Sequence, residues 1–173
     1  KTRLRRLLIL FACLLPTLAQ AQTIEVEAGD SLFLTRFPAN ITGLIVRGYC
    51  HLQPEASLEV TLHRLEVIGG ALEIGTPDQP VSVPVAIKLV ADRGEPVVRV
   101  SAGGSWRCFA RPATLQFSSV GKSLPQTWIK VAADAGTVEL SGVQFSGLPS
   151  SGQTPAIDRL GSEGTQVECT ING

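Results

Sequence analysis

The chain has 173 residues, 44% of them hydrophobic and 17% charged, with 15 basic and 15 acidic side chains in formal balance. All of the acids lie beyond residue 21, whereas Lys1, Arg3, Arg5 and Arg6 lie before it, so the body of the chain is mildly acidic. It lacks the basic stripe that a phosphate backbone requires, which argues against a nucleic-acid partner, and its length suits one domain with a substantial core.

The first 21 residues read as an export signal. Lys1, Arg3, Arg5 and Arg6 form a cationic head, residues 7–18 an apolar run broken only at Pro16 and Thr17, and Ala19, Gln20 and Ala21 a small-x-small cleavage site. That run is too short for a membrane-spanning helix, which needs about 20 residues. The expectation is a cleaved signal peptide over 1–21, no transmembrane anchor in this chain, and a secreted protein, whether periplasmic, extracellular or held at a cell surface.

Past the leader, all 17 glycines and 10 of the 11 prolines interrupt the chain too often for an amphipathic helix of ordinary length. Strands fill the gaps. Ile24 and Val26 alternate with Glu25 and Glu27; Leu58, Val60 and Leu62 with Glu59 and Thr61; Val98 and Val100 with Arg99 and Ser101. Further on, Ile129 and Val131 flank Lys130, Val138 and Leu140 flank Glu139, and Val143 and Phe145 flank Gln144. This two-residue period gives each strand an inward aliphatic row and an outward polar one.

The richest stretch is LEVIGGALEIGTPDQPVSVPVAIKLV, residues 65–90, where two short strands meet at Gly69 and Gly70 and a turn leads into a third. Its phrase returns as LIVRGYCHL, VVRVSAGGSWRCF and TWIKVAADAGTVELSGVQF. Taking Gly48, Gly70, Gly104 and Gly136 as equivalent corners gives steps of 22, 34 and 32 residues, the length of one solenoid coil with variable loops. Periodicity alone also fits a sandwich of hairpins. The stack is favoured because two-residue hairpin turns are absent except at Asn172 and Gly173, and glycines sit at corners instead. The fold expected is all-β, a right-handed parallel β-helix (solenoid). It ends on a strand with no cap, so it is read as truncated at its C-terminal end, with catalytic residues able to lie in a missing part.

Beyond the leader the cysteines are Cys50, Cys108 and Cys169, an odd number. Cys169 alternates with Val167 and Ile171 as a buried hydrophobe would, leaving Cys50 and Cys108 as the possible disulfide. His51 and His63, the two histidines, have no metal-binding spacing, and no metal or cofactor is expected. Three charged groups fall in loops or corners: Asp92, Arg93 and Glu95; Asp134 with Glu139; Asp158 with Arg159. Each is either a solvated turn or part of a glycan site, where carboxylates and a base of tuned pKa are needed. Trp106 and Trp128 are open to two readings as well. Exposed, they would stack on sugar rings; the favoured reading packs them into corners of the core.

The residues GGALEIGTPDQP followed by VAIKLV resemble the extracellular domain named for its eight glycines, found in fibrocystin and in the cell-migration-inducing hyaluronan-binding protein. The resemblance extends over roughly residues 24–147, through LQPEASLEV upstream and the tryptophan strand TWIKVAADAG downstream. It departs from the family at residues 143–149, where a tryptophan and a Gly-Asp pair usually close the domain. It implies a right-handed β-helix of pectate-lyase type and a role with extracellular glycans. On that basis residues 22–147 are the eight-glycine domain and 148–173 a further, incomplete coil. The leading expectation is a non-catalytic module that binds extracellular polysaccharide or precedes a larger carbohydrate-active or adhesive region, with Trp106, Trp128, Asp92, Glu95 and Asp134 as binding candidates. The alternatives are part of a polysaccharide lyase or hydrolase, and a purely structural adhesin stalk; enzymatic activity stays open and is disfavoured for this chain alone.

Overall fold

Alternating aliphatic residues can hide only one side of a strand, so what matters is how the hidden sides are brought together. A computed structural model describes residues 21–92, 95–120, 128–146, 157–159 and 169–171. Residues 1–20 of the expected leader lie outside those residues, as do the side chains of Asp158, Arg159 and Cys169. Among the described residues every regular element is a strand.

Each strand pairs in parallel with a strand that comes well before or after it in the chain. One sheet runs β1 (Gln22–Val26), β3 (Ile41–Val46), β6 (Arg64–Ile68), β9 (Val98–Ser101), β11 (Ile129–Val131), β13 (Ile157–Arg159). A second runs β2 (Ser31–Leu34), β4 (Tyr49–Leu52), β7 (Ala71–Ile74), β10 (Ser105–Val120), β12 (Val138–Ser146), β14 (Cys169–Ile171). The remaining strands, β5 (Leu58–Leu62) and β8 (Val85–Asp92), pair with one another, and β8 pairs in turn with the second half of β10. Parallel neighbours need a crossover, usually a helix; here strands of the other sheet serve as the crossovers. The antiparallel sandwich of hairpins is therefore set aside.

Register carries the pattern across the strands. Ile24, Leu44, Leu65, Val98 and Ile129 align through the first sheet, and Leu32, Cys50, Leu72, Trp106 and Val138 through the second. Of these ten, all but Ile24 and Leu32 are buried, and those two pack against the core at the first strand of each sheet. Leu62, Leu89 and Phe117 form a third aligned row, also buried. At roughly 1.5–3 kcal/mol for each large aliphatic or aromatic side chain fully buried, these rows dominate the stability.

The corner glycines stack as their spacing predicts. Ala71 N–H donates to the Gly48 carbonyl at 2.8 Å, Ser105 N–H to that of Gly70 at 2.9 Å, and Gly136 N–H to that of Gly104 at 2.8 Å. Two strand boundaries differ from expectation. Residues 138–146 form one strand rather than two, and β10 runs through Pro112 to Val120 instead of stopping near Phe109. Its pairing with β12 slips between Phe109 and Ala113, and on either side of that break it belongs to different ladders, with β7 before and β8 after. Proline lacks a ladder donor and is tolerated in a sheet at such irregularities.

Candidate functional site

Where β5 turns into β6, and β8 runs on toward β9, the outward charges of neighbouring strands converge. They line a groove of about 810 Å³ walled by His63, Arg64, Glu66, Asp92, Glu95 and Arg99, with Pro96 among them. The parallel register accounts for part of this. Glu66 on β6 is the in-register neighbour of Arg99 on β9, and both face away from the core because Leu65, Val67, Val98 and Val100 face into it.

Each basic side chain lining the groove has a carboxylate partner. His63 Nδ1 lies 2.8 Å from Asp92 Oδ2, Arg64 Nη2 donates to Glu66 Oε2 at 2.8 Å, and Arg99 Nη2 donates to Glu95 Oε2 at 3.0 Å. The bond to Glu66 pushes the Arg64 guanidinium up; desolvation by burial opposes the rise, and the charges of Glu66 and Glu25 add to it. Glu66 itself is 12% exposed and thus sunk in the groove wall, whereas Arg64 at 57% reaches into solvent. Among the described residues the result is a polar cleft in which basic and acidic side chains are paired. Such a surface can hydrogen-bond a hydroxyl-rich molecule through both donors and acceptors. Among the described residues no group of three or more His, Cys, Asp or Glu could hold a metal ion.

The sequence candidates separate here. Asp92 and Glu95 come together in the groove. Asp134 does not belong to its walls; it is exposed in the turn after β11, where its backbone carbonyl accepts the Gly103 N–H at 2.5 Å. Trp106 and Trp128 are 0% and 1% exposed, which removes them as sugar-stacking surfaces and places them in the core, Trp128 against Phe117 at a centroid distance of 5.3 Å.

The disulfide expectation is corrected as well. Cys50 and Cys108 are free, buried thiols. Strand β7 lies between theirs: Cys50 aligns with Leu72, and Cys108 two residues further along with Ile74. Two inter-strand steps of about 4.8 Å put the Cα atoms beyond the roughly 7 Å limit for a bridge. Burial pushes the Cys50 thiol up to about 11, and that of Cys108 up to about 12 against an opposing backbone hydrogen bond at Ala110.

Sequence reasoning passed over His63, Arg64, Glu66 and Arg99. In the sequence the two histidines show only the lack of a metal-binding spacing, and Glu66 reads as an ordinary strand-face charge. The usable signal is the repeat spacing, since His63 and Asp92 stand 29 residues apart, within the range of 22 to 34 residues that separates the corner glycines.

A family model described as the G8 domain matches residues 13–132. No curated protein and no solved structure matches the chain. Among the described residues no helix is long and apolar enough to cross a membrane.

Proposed function

The chain belongs to the G8 domain family, an extracellular type of domain, and from that premise we propose a secreted or cell-surface module that binds extracellular carbohydrate in the groove between β6 and β9. Its strands wind as a right-handed β-helix of pectate-lyase type, preceded by a signal peptide over 1–21 and continued by a further coil over 148–173. The observation that carries the binding reading is the convergence of Asp92 and Glu95 with His63, Arg64 and Arg99 around one cleft of about 810 Å³. Guanidinium and carboxylate groups supply the paired donors and acceptors that sugar hydroxyls match, and charge-assisted bonds of this kind contribute about 1.5–3 kcal/mol each.

The test is a glycan array and a polysaccharide pull-down with the wild-type protein and the R64A/R99A double variant. Wild type retains at least one glycan class, and the double variant loses at least tenfold in affinity at unchanged fold. Wild-type binding no greater than that of an unrelated β-helix ends the carbohydrate reading.

A second reading, part of a polysaccharide lyase or hydrolase, draws on the His63–Asp92 pair, since an imidazole held by a carboxylate is the usual form of a positioned base. It requires the protein, alone or within a longer chain, to release reducing ends from polysaccharide. Inertness across a panel of uronic-acid and neutral polymers removes it.

A further inference from the structure

Away from the groove, the outward face of the second sheet carries a row in strict register: Phe33, His51, Glu73, Arg107 and Glu139, one from each of β2, β4, β7, β10 and β12. We propose that this row, with Tyr49 beside it, is a second sugar-binding surface, built for a neutral, uncharged glycan chain laid across the strands; the proposal rests on the carbohydrate reading above but on different residues.

The aromatic end comes first. Phe33 is 69% exposed, the exposed large hydrophobic among the described residues, and it stands near the start of the sheet, where natural strands commonly place charge. It does not stand alone. Its ring meets that of Tyr49 edge-on at 5.8 Å and that of His51 at 6.1 Å, while Tyr49 and His51 lie nearly parallel at 6.3 Å. Three rings thus form one continuous apolar patch of the kind that covers the C–H face of a pyranose. The buried Trp106 and Trp128 cannot do this.

Polar contacts fix the patch in place before any ligand arrives. Tyr49 donates its hydroxyl to Glu73 Oε2 at 2.6 Å, and Arg107 Nη1 approaches the other oxygen of the same carboxylate at 3.5 Å. A pre-ordered aromatic surface loses little rotamer freedom on binding, which lowers one of the costs of association.

Charge and length choose the ligand class. Beyond the rings the row presents one cation, Arg107, between two carboxylates, Glu73 and Glu139. That arrangement repels a polyuronate and leaves acceptors for hydroxyl donors. Four inter-strand steps of about 4.8 Å make the row about 19 Å long, enough for several sugar rings in file.

The chain itself supplies reporters. Tyr49 is its single tyrosine, and its two histidines lie one on each surface, His51 in this row and His63 in the groove. NMR of the full chain, titrated with cellohexaose, chitohexaose and mannohexaose and separately with hexagalacturonate, reads both places at once. The expected result is that at least one neutral hexaose shifts the Tyr49 and His51 ring signals, that hexagalacturonate moves them less, and that F33A weakens the neutral sugar about tenfold, in line with about 1.4 kcal/mol for one aromatic contact. Phe33 is exposed, so F33A keeps its fold, which unchanged core tryptophan signals will verify. Movement of His63 alone overturns this proposal and leaves the groove standing, whereas movement of neither histidine by any sugar removes both. A stronger response of His51 to hexagalacturonate than to the neutral sugars also overturns it.

Discussion

The Gly70 backbone passes so close to Gly48 that a Cβ placed on Gly70 would collide with the Gly48 carbonyl oxygen, the same oxygen that accepts the Ala71 N–H. The obstacle is backbone, fixed by a ladder bond, so it cannot rotate aside. G70A is therefore expected to cost about 3 kcal/mol or more, at the upper end for overpacking a rigid site. Gly29 is the control. Its φ of +88° disfavours a side chain, but nothing lies within 4 Å of its missing Cβ, so G29A should cost about 1 kcal/mol. Urea denaturation of both variants checks the ordering; equal costs would mean the corner is not the tight contact described.

This contact also explains what could be read from the sequence. Where two backbones approach this closely only glycine fits, so the corner positions Gly48, Gly70, Gly104 and Gly136 leave a mark in the chain, and the strand alternation between them leaves another. Other features leave none. Pro112 reads locally as the end of a strand, yet β10 continues past it because separate partners, β7 and β8, hold its two halves. The groove is equally hidden. Glu66 and Arg99 each look like a solvated charge on their own strand, and only the register, which no local window contains, brings them side by side. The aromatic cluster is hidden for a related reason: Phe33 comes from a different strand than Tyr49 and His51, whereas Trp106 and Trp128 stand out by residue type although their phase points inward.

Trp106 gives the next prediction. It is 0% exposed, and its indole Nε1 is buried with no hydrogen-bond partner. W106A opens a cavity and should cost about 3–5 kcal/mol. W106F loses part of the buried area but also removes an orphaned donor, whose burial costs about 1–3 kcal/mol, so the two effects nearly offset. Thermal unfolding should find W106F within about 1.5 kcal/mol of wild type and W106A far below it. Sugar affinity of folded W106F should be unchanged, since the residue touches no ligand surface.

The buried thiols and Tyr49 set the alkaline limit of the fold. Tyr49 is pushed up to about 12 by desolvation, then by its hydrogen bond to Glu73, the charge of Glu73 and that of Cys50; Cys50 and Cys108 rise to about 11 and about 12. All three ionise to anions, so above their ordinary values the unfolded chain holds fewer protons than the folded one. Stability is then full below about pH 9, falls as pH climbs, and the contribution of these groups is gone once pH has passed about 12. Denaturation midpoints measured from pH 7 to 11 should decline only above about pH 9, and Y49F should decline less steeply. A midpoint that rises over that range would contradict the assigned directions. The same burial predicts that at pH 8 Cys50 and Cys108 resist alkylation in the folded protein and accept it in urea without prior reduction, which peptide mass mapping will read.

The groove ion pairs should matter to ligand and hardly at all to fold. His63, Asp92, Glu95 and Arg99 are each more than a third exposed at the side chain, and pairs in such positions contribute about 0–1 kcal/mol because solvent screens the attraction and ordering two long side chains costs entropy. For a chain of this size 1 kcal/mol moves the melting temperature by about 2–4 °C. R99Q and D92N are therefore expected to melt within about 4 °C of wild type, while glycan affinity at the groove drops at least tenfold because each removes a charge-assisted donor or acceptor. Their effects should differ in salt. Loss of Arg99 leaves Glu95 unpaired and the cleft more negative, so R99Q should recover part of its affinity for an acidic oligosaccharide as ionic strength rises, whereas D92N should not. Calorimetric titration at low and high salt separates the two variants. A melting loss well beyond 4 °C with affinity intact would reassign these pairs from recognition to the stability of the strands they join.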